Sequence, residues 1–179
     1  LRKLLLRYFT DNITALTLLG VYFGTNLVWY STREAAMSHA FLFSIISIYL
    51  YFTVLWHEKP DWKNTIVVGV LIGLAILIRP TMAILSLPFL FFNVSSWKTF
   101  TDKIILFLKN WPLILLMILC ILLCTVPQLI YWHAVTGHWV YYSYTAERFF
   151  FSDPHVLDGL FSYRKGWLLY TPIMFFSIF

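Results

Sequence analysis

Arg79 and Pro80 stand together inside the apolar run GLAILIRPTMAILSLPFL, residues 73–90. A permanent cation and a helix breaker thus fall where the neighbouring side chains suit lipid. A guanidinium offers a planar fork of donors that fits a phosphate, and Pro80 fits the first position of a new helix, where its missing N–H costs nothing. The plain alternative is an arginine that snorkels to headgroups at a membrane edge. A second set of chemistry-bearing residues lies in STREAAMSH. Glu34 there suits a catalytic proton acceptor or a metal ligand, and His39, one turn further on, a hydrogen-bond donor to a substrate phosphate or sugar. The plain reading makes Glu34 an acid in the first turn of a helix capped by Ser31 or Thr32, paired with Arg33. The third set is SYRKGW, where Tyr163 would line a substrate and Arg164 and Lys165 would bind its phosphate. A basic anchor before the next apolar run is the plain reading there.

The elements that must position these residues are set by composition. The chain is 60% hydrophobic, 20% aromatic and only 12% charged, with a mean hydropathy of +0.77, which is the composition of an integral membrane protein. The net charge of +5 does not indicate nucleic acid, because the Lys and Arg residues sit mainly at the edges of apolar segments, where headgroups and the positive-inside rule explain them. Cys120 and Cys124, the only cysteines, are spaced i, i+4 in an apolar run and read as small core residues rather than a metal or redox site.

Apolar segments follow one another along the whole chain. The first runs from about Ile13 to Tyr30, preceded by Arg2, Lys3 and Arg7, which place its start in the cytoplasm. A second, about Met37 to Trp56, returns. Thr65 to Phe92 would make one helix about 42 Å long with Arg79 near its centre, at a cost of about 2.5 to 3.5 kcal/mol for the central arginine. Two shorter helices, Thr65 to Ile78 and Thr81 to Phe92, hinged at Arg-Pro, avoid that cost. They also put Lys98, Lys103 and Lys109 inside, in keeping with the positive-inside rule. The next helix, about Trp111 to Trp132, goes outward, and a loop from His133 to Lys165 lies outside. The expectation is an all-α polytopic transmembrane bundle of about five spans plus a truncated last helix, forming a single transmembrane domain over 1–179. The first and last residues both read as cuts in a longer protein.

In this topology STREAAMSH, IRPT and the outer loop converge on one face of the membrane, with Arg79 at the tip of a short hairpin too short to cross. Buried charge beside such a depression marks a membrane-embedded site. The loop's run of Trp139, Tyr141, Tyr142, Tyr144, Phe149, Phe150 and Phe151 suits an interfacial helix, or sugar faces and isoprenoid tails. No Gly-rich phosphate loop, zinc spacing or nucleophile elbow occurs. The glycosylation patterns at Asn12 and Asn93 fall at expected cytoplasmic edges and are read as chance.

At these three segments the sequence resembles the bacterial GT-C glycosyltransferases, specifically relatives of glycosyltransferase family 39, the protein O-mannosyltransferases and the lipid A aminoarabinose transferases. EAAMSHAFLFSIISIYLYF is similar to the family helix that begins at the outer face with an acidic residue. GLAILIRPTMAILSLPFLF is similar to its Arg-Pro-Thr helix pair, and FSYRKGWLLYTPIM to the entry of a later helix. The resemblance implies a GT-C-like bundle in the bacterial inner membrane and an inverting transfer at its periplasmic face. A sugar would pass from a polyprenyl-phosphate-linked donor to a lipid, glycan or protein acceptor. It puts Glu34 and His39 near donor or acceptor, Arg79 near the lipid phosphate, and Arg164 and Lys165 near the leaving phosphate. A divalent metal serves some enzymes of this class and is assigned to no residue here. The family's principal carboxylate lies in the first outer loop, for which this chain has no counterpart before Ile13, so these residues alone are expected to be inactive. Two rivals are a transporter or flippase of an anionic lipid-linked substrate, which predicts internal repeats that the two halves do not display, and a non-catalytic membrane subunit, which predicts that Arg79 and Glu34 are replaceable.

Overall fold

The computed structural model describes residues 1–141, 152–164 and 166–177. It is helical throughout, with no strand among the described residues. In chain order the helices are α1 (Arg2–Leu5), α2 (Asp11–Phe23), α3 (Leu27–Thr32), α4 (Ser38–Glu58), α5 (Trp62–Ile78), α6 (Ser86–Leu90), α7 (Trp97–Lys109), α8 (Trp111–Thr136), α9 (Val156–Phe161) and α10 (Trp167–Tyr170), with 3-10 turns at Pro80–Leu85 and Pro172–Ser177. They form two compact units, one essentially Phe41–Tyr141, the other made of Arg2–Ala40 and the residues from Tyr142 on.

In the unit that contains the N-terminal helices, the expected span from Ile13 to Tyr30 is broken. The Thr25 hydroxyl donates to the Val21 carbonyl at 2.6 Å and accepts the Leu27 N–H at 3.2 Å. These local bonds compete with the helix ladder and divide the segment into α2 and α3. Gly20 and Gly24 leave room for Ile173, whose Cδ1 would lie 3.0 Å from a Cβ at either position, so the C-terminal 3-10 turn packs directly against α2. Thr14 of α2 is fully buried.

The other unit has its core in Leu42, Tyr49, Trp56, Val68, Ile72, Ala75, Leu85, Phe89 and Met117. A relay of hydrogen bonds closes the turn between α4 and α5. Trp56 Nε1–H donates to Thr65 Oγ1 at 2.7 Å, Thr65 donates to the Asp61 carbonyl at 2.6 Å, and the Asp61 carboxylate caps α5 by accepting the Asn64 N–H at 2.7 Å. Helices α5 and α8 then pack backbone to backbone. A Cβ on Gly69 would meet the Met117 carbonyl at 2.8 Å and Cys120 Cβ at 2.9 Å, and one on Gly73 would meet Cys124 Cβ at 2.6 Å. This is the small-xxx-small approach of membrane helices. Because Gly69 faces Met117 and Cys120 while Gly73 faces Ile121 and Cys124, the two helices run parallel.

Two helices, α4 and α8, are long and apolar enough to cross a membrane; α5 and the Pro80–Leu90 stretch are apolar but shorter. Of the about five spans expected, two are thus helices of spanning length among the described residues. The first segment falls short because of the Thr25 break, and the reversal at Arg79 keeps the third in two short pieces, as expected. On α8 only Met117 and Cys120 are buried, and Leu115, Leu119, Leu122, Leu123, Val126 and Ile130 are exposed. A helix apolar on its outward face needs lipid rather than water around it.

Replacing Gly73 by Ala should force α5 and α8 apart and destabilise the protein by about 1–3 kcal/mol. Thermal unfolding in detergent would reveal this, and an unchanged midpoint would mean that the close approach carries no weight.

Candidate functional site

Arg79 ends α5. Its N–H still donates to the Ala75 carbonyl at 2.9 Å, but its backbone is extended, at φ −146 and ψ 116, because the Pro80 ring clashes with a helical conformation in the preceding residue. Pro80 occupies the first position of the 3-10 turn, and the Arg79 carbonyl accepts the Met82 N–H at 2.8 Å. The reversal expected from the sequence is present, with a 3-10 turn and the short α6 in place of a continuous helix from Thr81 to Phe92. The chain returns alongside α4: the Tyr49 hydroxyl donates to the Leu85 carbonyl, and one helical stretch further on Phe89 lies 4.9 Å from Trp56, ring to ring. Phe92 completes the return 4.7 Å from His57. Arg79 is therefore the half-buried apex of a hairpin. By the parallel pairing of α5 and α8, it is roughly level with residue 129 of α8.

The same end of this unit carries the C-terminus of α8. Gly137 closes it in the left-handed region, at φ 75. Thr136 Oγ1 donates to the Trp132 carbonyl and accepts the His138 N–H, so the chain folds back and Trp139 stacks on His133, with centroids 4.2 Å apart and planes 1° from parallel. Trp139 and Tyr131 are exposed.

Glu34 and His39 flank the bend between α3 and α4 in the other unit. The plain reading of Glu34, as an acid in the first turn of a helix capped by Ser31 or Thr32, is corrected. Helix α4 begins at Ser38, and Ser31 and Thr32 belong to the end of α3, where both hydroxyls donate back to the Val28 carbonyl. Glu34 sits in the connecting bend, its N–H on the Trp29 carbonyl and its own carbonyl accepting the Met37 N–H. The Arg33 guanidinium lies over the Trp29 ring at 5.8 Å. Its expected pairing with Glu34 is not among the ion pairs of the described residues. His39 opens α4 and packs on Tyr30, centroids 4.2 Å apart.

Tyr163 and Arg164 share a tight turn. Arg164 N–H donates to Ser162 Oγ at 3.1 Å, and the Tyr170 hydroxyl to the Tyr163 carbonyl at 2.6 Å. Gly166 closes it with its N–H 2.6 Å from the Ser162 carbonyl, a spacing at which a Cβ would meet that oxygen at 2.5 Å. Both side chains are exposed. Lys165 and most of the aromatic loop, residues 142–151, lie outside the described residues. Among the described residues no three His, Cys, Asp or Glu side chains group as a metal site.

The sequence reading passed over α7 and the cluster it joins. Ser96 and Thr99 form a reciprocal capping box at its start, a spacing visible in SSWKT. Phe107 then meets Phe89 in a near-parallel stack at 5.9 Å, and Lys103 Nζ lies 5.7 Å from the Phe92 ring centre. Burial against these rings lowers the Lys103 pKa. The folded chain consequently holds this proton less tightly than the unfolded one, so stability should rise as pH climbs through the folded pKa towards the ordinary lysine value. Lys103→Met should flatten that rise in unfolding curves taken at alkaline pH. Tyr49→Phe, which removes the hydroxyl's bond to the Leu85 carbonyl, should cost about 1 kcal/mol and loosen the return from Arg79, detectable as faster amide exchange over residues 80–90.

A family model described as dolichyl-phosphate-mannose-protein mannosyltransferase matches residues 2–132. The match encloses Glu34, His39 and Arg79 and ends before Tyr163, Arg164 and Lys165. No curated protein and no solved structure matches the chain.

Proposed function

The chain belongs to the dolichyl-phosphate-mannose-protein mannosyltransferase family, and from that membership we propose that it serves a membrane glycosyltransferase that moves a sugar from a polyprenyl-phosphate-linked donor to a hydroxyl of a lipid, glycan or protein acceptor. The observation that carries this reading is the family match across the segment that holds Arg79 at a hairpin apex. A half-buried guanidinium beside an interrupted helix is suited to a phosphate whose lipid tail stays in the bilayer.

In this reading the acceptor oxygen bonds to the anomeric carbon as the bond from that carbon to the phosphate oxygen breaks, with inversion. The acceptor proton passes to a carboxylate. Glu34 is proposed for that role or for holding the acceptor, with His39 donating a hydrogen bond to sugar or phosphate. Glu34 is half-buried and lies in a bend rather than inside a helix, so its carboxylate is not tied to the α4 dipole. The charge gathered on the departing polyprenyl phosphate is met by Arg79, Arg164 and Lys165, an electrostatic contribution that grows as the bond breaks. The reading places the reaction at the outer, periplasmic face of a bacterial inner membrane, with Tyr163 proposed for the acceptor side.

The test is transfer of radiolabelled sugar from polyprenyl-phosphate donors by membranes that carry the full-length protein. Arg79→Ala and Glu34→Gln should each lower transfer by about a hundredfold or more while inserting normally. Transfer undiminished in both variants, or none by the wild type from any such donor, would turn the reading towards transport or assembly.

A further inference from the structure

Ten of the 13 residues of helix α7 fall into three sectors. Phe100, Lys103, Leu106 and Phe107 face the rest of their unit: Leu106 and Phe107 pack on the core, Lys103 on Phe92 and Phe100 on Phe91. Trp97, Ile104 and Leu108 fall within about 40° of one another on the helix circumference, and they are 85%, 42% and 68% exposed. Lys98, Asp102 and Lys109 fall within another arc of about 40°, all exposed. The three arcs point roughly 120° apart. A soluble helix needs two faces, one for its core and one for water. A third, apolar and uncovered, requires a third medium.

The neighbouring elements say which medium it is. α8, whose outward apolar side chains need lipid, begins at Trp111 directly after α7, and Trp111 and Trp62 are exposed at this same end of the unit, as interfacial anchors are. Asn93, at φ 59, takes the left-handed conformation that lets the chain leave α6 and start α7 on a new course. Lys98, Asp102 and Lys109 are in no ion pair among the described residues, which leaves two cations and one acid on the aqueous arc.

We propose that α7 lies in the plane of the bilayer, at the end of its unit opposite Arg79. Trp97, Ile104 and Leu108 enter the acyl boundary, and Lys98 and Lys109 dock on the phosphates of anionic phospholipids. Asp102 between them limits the attraction, so the surface favours anionic headgroups without needing a dense cluster of them. The inference stands on α7 and the helix ends beside it, and holds whether or not the protein transfers sugar.

Spin labels placed by Trp97→Cys, Leu108→Cys and Asp102→Cys in a Cys120→Ala, Cys124→Ala background report it, using the full-length protein in phosphatidylcholine–phosphatidylglycerol liposomes. Labels at 97 and 108 should collide with oxygen and resist a water-soluble nickel complex, at a depth of about 5–10 Å, while the label at 102 meets nickel. Protection of 97 and 108 from both reagents would mean that protein covers α7, and nickel access at both would mean water; either overturns the proposal. Binding of spin-labelled phosphatidylglycerol relative to phosphatidylcholine should fall roughly fivefold for each of Lys98→Gln and Lys109→Gln. An unchanged ratio would overturn the anionic preference even if the depth holds.

Discussion

The approach of α5 to α8 through Gly69 and Gly73 governs the larger unit. In lipid there is no hydrophobic gain from bringing two apolar helices together, so close van der Waals contact must hold them, and that requires backbones with nothing between. Cys120 and Cys124 supply the opposing small side chains. Once this seam is made, α5 and α8 share a direction, and the end of α5 is presented beside the C-terminal half of α8. The placement of Arg79 follows from a contact that involves no charge.

Arg79 itself results from two opposed demands. The apolar run before it favours continuing the helix, and Pro80 forbids it. The compromise is an extended residue followed by a 3-10 turn, which the Tyr49 hydroxyl and the Trp56–Phe89 contact then pin against α4. A cation at an apex of this kind has its backbone fixed on either side, by the end of α5 and by the 3-10 turn. At the opposite end, the Trp56–Thr65–Asp61 relay does the equivalent work for the turn that starts α5.

Much of this was legible from residue types. The long apolar runs give α4 and α8 nearly their observed limits, and the cost of a central arginine together with lysine parity is enough to prefer a reversal at Arg-Pro over a single span. The small character of Cys120 and Cys124 was also readable from their spacing. What escaped was decided by local geometry. Whether Thr25 bonds back to its own helix turns on a hydroxyl rotamer, and that choice splits the first span. The bend that removes Glu34 from the helix start comes from α3 using Ser31 and Thr32 as its closing residues, a role these types fill as readily as capping. Helix α7 escaped although its apolar residues recur at the helical period, because its lysines were weighed only for the side of the membrane they mark.

The length of α8 has one more consequence. Its 26 residues extend about 39 Å, against a hydrocarbon layer of about 30 Å. A helix longer than the layer it crosses must lean, protrude or bend at its internal Pro127, and where α8 leans the glycine seam obliges α5 to lean with it. Hydrophobic mismatch then becomes a control on the height of the arginine: a thicker bilayer draws the pair upright and buries the apex nearer to the acyl chains, while a thinner one tilts it and lifts the guanidinium towards the headgroups. Membrane thickness, a property of the lipids alone, thus sets how deep in the bilayer this cation lies.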